Sequence, residues 1–171
     1  AARDLARRLT PRVFAHAMRM LGGDRGEAED VAQEALLRLW RAAPGWRTGE
    51  AKVSTWLYRV TANLCIDRLR RRRGHTALDA VPDPVDPAPS AAQGLQQKAR
   101  AAALQAALDA LADRQRQAVI LRHIEGLSTP EIAAIMDIGP RAVESLVARG
   151  KRTLQGTLAG RRAELGYEGD D

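Results

Sequence analysis

Three groups of side chains in this sequence are spaced for recognition, and none is spaced for making or breaking a covalent bond. The first is the run Arg68, Arg70, Arg71, Arg72 and Arg73, five guanidiniums within six positions. Such a run suits an anionic partner, nucleic acid foremost; a solvated helix end whose arginines complement the helix dipole accounts for it equally well. The second is Asp30, Gln33, Glu34, Leu37 and Arg41, which at helical spacing gather within roughly 100° of arc. Carboxylates and an amide around a bare leucine make a docking surface for another protein. The third is Arg141, Glu144, Ser145, Ala148, Arg149 and Arg152, within roughly 140° of one helical face. Its arginines and serine can donate to phosphates or guanine edges, and Glu144 can accept from cytosine. The three histidines, His16, His75 and His123, are scattered, and no carboxylate cluster has metal-ligand spacing. One cysteine allows neither an internal disulfide nor a cysteine-based zinc site. No catalytic residue, metal or cofactor is expected.

The elements that carry these groups are helical. Val31, Ala32, Ala35, Leu36 and Leu39 form an apolar stripe opposite the acidic face. The chain is 45% apolar but has only six aromatics, while alanine and leucine abound. Helices are expected over residues 1–21, 27–42, 54–73, 96–110, 113–125, 129–136 and 140–163, with no alternating strand pattern. The third is apolar nearly all round and should pack centrally. Its one polar stripe is Arg59, Asn63, Asp67 and Arg70, with Trp56 at the edge. Trp56 suits either core packing or a platform beside an unstacked base, with Asn63 offering amide contacts. Cys65 reads as a small buried apolar residue.

Charge and proline divide the chain. Residues 1–73 hold 16 Lys/Arg against 8 Asp/Glu, residues 74–98 one against three, and residues 99–171 ten against ten. Pro82, Pro84, Pro87 and Pro89 push the middle segment toward extended backbone. The expected fold is all-α: two small helical domains, 1–73 and 99–171, joined by a flexible Pro/Asp-rich linker, 74–98. Within the second, Ser128-Thr129-Pro130-Glu131 fits a capping box, Asp137-Ile138-Gly139 breaks the helix, and Pro140 opens the next. Two short helices, a three-residue turn and a polar second helix describe a helix-turn-helix, whose second helix enters the DNA major groove. No apolar run reaches membrane-spanning length, and the visible N-terminus lacks a signal-peptide core, so a cytoplasmic protein without membrane insertion is expected.

Residues 29–40 (Glu29 through Trp40) resemble the polymerase-binding helix of bacterial sigma factors. Ser54-Thr55-Trp56-Leu57-Tyr58-Arg59-Val60, then Asn63 and Ile66-Asp67-Arg68-Leu69-Arg70, resemble their promoter-melting and −10-reading helix, and Gly126 through Leu154 is similar to their −35-reading helix-turn-helix. Two halves on a short linker, with no further domain, resemble the extracytoplasmic-function (ECF, group IV) class of the sigma-70 family. The resemblance implies that Asp30, Gln33, Glu34, Leu37 and Arg41 bind the clamp helices of the polymerase β′ subunit. It implies that Trp56, Arg59, Asn63, Arg70, Arg71 and Arg72 serve the −10 element, with residues 47–53 helping to capture a flipped base. It assigns Arg141, Glu144, Ser145, Arg149 and Arg152 to the −35 element. Implied partners are core RNA polymerase (β′ clamp helices and β flap), promoter DNA and an anti-sigma factor, often membrane-anchored in this class. Two departures matter. Leu57 stands where a second aromatic would strengthen melting, which implies stringent promoter choice. Glu144 stands where relatives often carry a basic residue, which leaves one base preference open.

The linker supplies a check. Its 25 residues span about 25–30 Å as a coil and about 80 Å stretched, against about 50 Å between elements one and a half turns apart. The linker is therefore expected to be extended on polymerase, its acids Asp79, Asp83 and Asp86 keeping it off DNA, whereas the free protein can fold its halves together. The rival readings are a dimeric helix-turn-helix regulator that works without polymerase, and an enzyme acting on nucleic acid. The first leaves the Asp30–Trp40 face unexplained and lacks a second apolar stripe for a dimer; the second lacks a catalytic constellation.

Overall fold

The computed structural model describes residues 2–46, 52–75 and 92–160. Among them it contains α-helices and no strand, in agreement with the all-α expectation: α1 Ala2–Met20, α2 Arg25–Ala42, α3 Val53–His75, α4 Ala92–Asp109, α5 Asp113–Val119, α6 Thr129–Met136 and α7 Pro140–Ala159. A 3₁₀ turn, Ala43–Gly45, follows α2, and α5 continues into a π-helical turn, Ile120–Ile124. No described helix is long and apolar enough to cross a membrane. The expected linker falls mostly on residues 76–91, outside the described residues, but its last part is helical because α4 begins at Ala92. The prolines stop at Pro89, and a single Gly94 costs a helix only about 1 kcal/mol.

Local chemistry sets the boundaries. Gly22 (φ 72°) and Gly23 (φ 81°) end α1, and the Gly23 N–H donates to the Met18 carbonyl at 2.8 Å. Asp24 caps α2, its Oδ1 accepting from the Glu27 N–H at 3.1 Å. Ser128 caps α6 as the sequence suggested, its Oγ accepting from the Glu131 N–H at 3.3 Å. Glu131 reaches back to the side chain of the cap, the Ser128 hydroxyl donating to Glu131 Oε1 at 3.0 Å. Asp137 (φ 55°, ψ 48°) takes the left-handed conformation that turns the chain from α6 into α7.

Helix α3 explains its own composition. One side contributes Leu57 to a core with Leu9 and Val13 of α1 and Ala32 and Ala35 of α2. The other side puts Tyr58 and Ala62 among Ala118, Leu121, Ile132, Ile135, Val143 and Val147 of the second half. A third cluster joins Ala17, Met20, Val31, Cys65 and Leu69 to Leu108, Leu111, Val119 and Ile120. The two halves are thus packed on each other through a shared helix, the folded-together arrangement allowed for the free protein. Arg116, only 6% exposed, ties the joint: its Nη1 donates to the Met20 carbonyl at 2.6 Å and its Nη2 to the Asp109 carbonyl at 2.7 Å. One guanidinium therefore caps the C-terminal ends of α1 and α4.

Helix α7 lies so close to α5 that a Cβ on Gly150 would stand 2.5 Å from Val119 Cγ2 and 3.4 Å from the Gln115 carbonyl oxygen. Gly150→Ala gains up to about 1 kcal/mol of helix propensity, but overpacking costs about 1–3 kcal/mol. We expect the variant to melt several degrees lower by circular dichroism; an unchanged or raised Tm would mean that Val119 turns aside at no cost.

Candidate functional site

The α2 face stands clear of the core. Asp30, Gln33 and Arg41 are exposed, Glu34 half-buried, and Leu37 keeps 49% of its surface in water. An open groove of about 430 Å³ is lined by Asp30, Gln33, Glu34, Leu37, Leu64 and Arg71, among others. Arg38 Nε bonds Glu34 at 3.0 Å, and Arg68 Nη1 stands 4.0 Å from both Glu27 and Asp30. Arg38–Glu34 is solvent-exposed and contributes little stability; Arg68 is partly covered, and together the pairs fix the orientation of the carboxylates. Arg71, which the family resemblance assigned to −10 DNA, also lines this groove, and Arg41 lies outside its lining. Sequence reasoning missed Trp40, 51% exposed, and Trp46. Both line a small apolar pocket with Leu5, Ala6, Leu39, Ala43 and Val53.

On α3, Arg59, Asn63 and Arg70 are exposed along one stripe. Trp56 is half-buried against the core of the first half, and its ring meets Trp46 edge-on, centroids 5.8 Å apart at 89°. The packing reading therefore holds for the covered part of the indole. Arg72 does not join this stripe, since two residues past Arg70 on a helix is the far side. Its Nη1 donates to the Leu21 carbonyl at 3.0 Å and its Nη2 reaches Asp24 at 3.4 Å and also Glu27, pinning α3 to the α1–α2 corner. Of the expected base-capture loop, residues 47–51 lie outside the described residues.

On α7, Arg141, Glu144, Ser145, Arg149 and Arg152 are all exposed, while Val143, Val147 and Gly150 are buried. The recognition face is thus assembled as the helical spacing required. A residue absent from the sequence-based set joins it: Arg122, in the π turn, bonds Glu144 at 3.0 Å. Twenty-two residues separate the two, so no local spacing announces the pair.

The two halves meet along polar contacts as well. Tyr58 Oη donates to Glu125 Oε2 at 2.7 Å, and Arg19 stands 3.8 Å from the same carboxylate. Arg59 pairs with Asp137 at 3.5 Å, and Arg73 with Asp113. Burial first, then the bond to Glu125, raises the Tyr58 phenol above its ordinary range. Burial pushes the Cys65 thiol up to about 12, so it remains an unreactive thiol, as its sequence context suggested. No group of three or more potential metal ligands occurs among the described residues.

The fold and its faces define a class: a helical protein in two parts, with a helix-turn-helix in the second and, in the first, a separate acidic face around an exposed leucine. Residues 5–75 match the model of Sigma-70 region 2, and residues 101–154 that of Sigma-70 region 4. The chain is 36% identical to the ECF RNA polymerase sigma factor SigE of Mycolicibacterium smegmatis, across 94% of this chain and 63% of that protein. It is 31% identical to the ECF RNA polymerase sigma factor SigW of Bacillus subtilis, across 86% of this chain and 83% of that one. It superimposes with a TM-score of 0.70 on the sigma factor RpoE of Bartonella quintana, solved with the anti-sigma factor NepR, at 26% identity over 91% of this chain and 97% of that one. The protein belongs to the sigma-70 family, in its ECF branch. It spans less than two thirds of the length of some curated relatives, 63% for the M. smegmatis protein and 45% for the ECF RNA polymerase sigma factor SigG of Mycobacterium tuberculosis.

The joint between the halves also sets a pH dependence. His16 is wholly buried, with no hydrogen-bond partner on either ring nitrogen, and packs edge-on against Tyr58 at 5.8 Å. Burial, then the nearby charge of Arg19, lowers it from 6.5 to about 4. The folded protein holds it neutral, whereas the unfolded chain takes up a proton below about 6.5. Its contribution to stability is therefore intact above 6.5 and is lost as pH falls toward 4, by up to about 1.4 kcal/mol per pH unit. We expect His16→Leu to flatten the fall in Tm between pH 6.5 and 4.5 relative to wild type. Parallel melting curves for the two proteins would assign the slope to other groups.

Proposed function

We propose that this chain is an alternative sigma factor: it binds core RNA polymerase, directs promoter-specific initiation by reading −10 and −35 elements, and is held inactive by an anti-sigma factor. The observation that carries this reading is the half-exposed Leu37 among Asp30, Gln33 and Glu34, on a different helix from the polar face of α7. A protein that only binds DNA has no use for an acidic apolar-centred face, because phosphates repel it. Residues 1–73 would dock on the β′ clamp helices and read the −10 element through Trp56, Arg59, Asn63 and Arg70. Residues 99–171 would read the −35 element through Arg141, Ser145, Arg149 and Arg152, with the β flap as a second polymerase contact. Neither role is catalytic, and both operate in the cytoplasm, where polymerase is. The anti-sigma partner is supported by the NepR-bound relative of the same fold. The dimeric regulator is disfavoured because α7 buries its apolar side within the chain, leaving no second stripe for a twin.

The packed halves must separate for this work. Arg59 stands 3.5 Å from Asp137 of the helix-turn-helix, whereas the two promoter elements lie about 50 Å apart. Residues 76–91, which join α3 to α4, bridge that gap only when drawn out.

Mixing the protein with core polymerase and scoring promoter-specific transcripts tests the proposal directly. Changing Asp30, Gln33 and Leu37 together to alanine should weaken core binding by about tenfold or more; wild type binding core no better than this variant would sink the reading. Arg149→Ala should cost about 1–3 kcal/mol of −35 affinity and leave core binding intact. Equal loss of both would point to damaged folding.

A further inference from the structure

Glu144 is the residue of the α7 face whose type argues against its position. A carboxylate that reads cytosine must turn a lone pair to the base edge and stand between two phosphate strands. Here it does neither alone. Its side chain is 62% exposed, yet Oε1 accepts from Arg122 Nη2 at 3.0 Å and from the Thr129 hydroxyl. Arg122 Nη2 also bonds Thr129, so the three side chains close a ring. Three elements meet in it: the π turn, the first turn of α6 and the opening of α7. Arg122 is mostly covered, at 25% side-chain exposure, and answers the negative charge of Glu144.

In a docked helix-turn-helix the start of the second helix faces base edges while the first helix crosses the phosphate backbone. The ring lies at the corner between them. We propose that Glu144 reads no base: it is a positioning residue that fixes Arg122 and Thr129 at this corner, and Arg122 meets a backbone phosphate there. Arg122 has the donors for it, since only Nη2 is engaged by Glu144 and Thr129 and the fork retains Nη1 and Nε. The start of α6 adds the favourable end of a helix dipole. The chain then tolerates an acid on its DNA-reading helix because the acid's charge is spent on an arginine. The consequence for specificity is that the base opposite Glu144 is left unread, while the phosphate contact strengthens binding regardless of sequence. This rests on the −35 reading proposed above.

The test uses full-length protein on core polymerase, with a promoter library randomised across the −35 element, for wild type, Glu144→Gln, Glu144→Ala, Arg122→Ala and the Glu144→Ala/Arg122→Ala double variant. Glutamine keeps an acceptor for Arg122 and Thr129, so Glu144→Gln should select the same bases as wild type and bind within about twofold. Glu144→Ala and Arg122→Ala should each weaken binding about fivefold, evenly across sequences, and the double variant should be no weaker than Arg122→Ala. A changed base preference in Glu144→Gln, or additive losses in the double variant, would overturn the proposal. A library from which wild type selects no −35 sequence would sink the promoter-reading function itself, and this assignment with it.

Discussion

Helix α3 gives only one polar stripe to water and packs its other sides, and the arrangement of the molecule follows from that. Leu57 and its neighbours fill one core and Tyr58 and Ala62 another, so a single helix closes both halves. An isolated first half would expose the Tyr58 side, and an isolated second half would expose Leu121, Ile132 and Ile135. Apolar area left in water costs about 25 cal/mol per Å², which is why the halves sit together when nothing else covers them. The same arithmetic makes each exposed side a ready surface for whatever replaces the other half.

The joint is nonetheless built to come apart. Its apolar part mixes small side chains, Ala17, Ala62 and Ala118, with larger ones such as Leu69, Leu108, Leu121 and Ile132, which remove most of the surface from water. Its polar part is more exacting. Arg116 satisfies carbonyls at the ends of α1 and α4, yet its own Nε has no partner. Burial lowers its basicity, the direction expected when a cation is desolvated without a matching carboxylate bond. His16, packed against Tyr58, is also buried and unpartnered. A joint with polar groups left unsatisfied in the closed state recovers their hydration on opening, which offsets part of the apolar loss.

Periodicity made the elements legible and topology limited the rest. The two-faced α2, the all-round apolar α3 and the turn between α6 and α7 were readable because each depends on spacing within a dozen residues. The face of Arg70 is readable too, but the arginine run is one patch only in sequence, and the helix distributes it: Arg70 on the polar stripe, Arg71 in the α2 groove, Arg72 on the α1–α2 corner. Trp46 against Trp56 and Arg122 against Glu144 join residues from different elements, and no local pattern encodes them. The role of Trp56 was undecidable from sequence for a physical reason, since an indole is large enough to be half core and half surface.

Charge explains how the closed and working forms are coupled. The first half carries a net +8 and the second none, yet three acids of the second half, Asp113, Glu125 and Asp137, each meet an arginine of the first: Arg73, Arg19 and Arg59. The acids occupy the cations that a polyanion would also seek. Arg59–Asp137, exposed on both sides, contributes at most about 1 kcal/mol and weakens with salt, whereas Glu125 and Asp113 are largely covered and their pairs are screened less. Their effect is competitive. An anion that draws Arg59 away from Asp137 removes a contact from the joint, and by linkage any opening of the joint raises the affinity of Arg59 for that anion. A basic half folded onto a neutral one thus makes release of the second half and engagement of a polyanion two sides of one equilibrium.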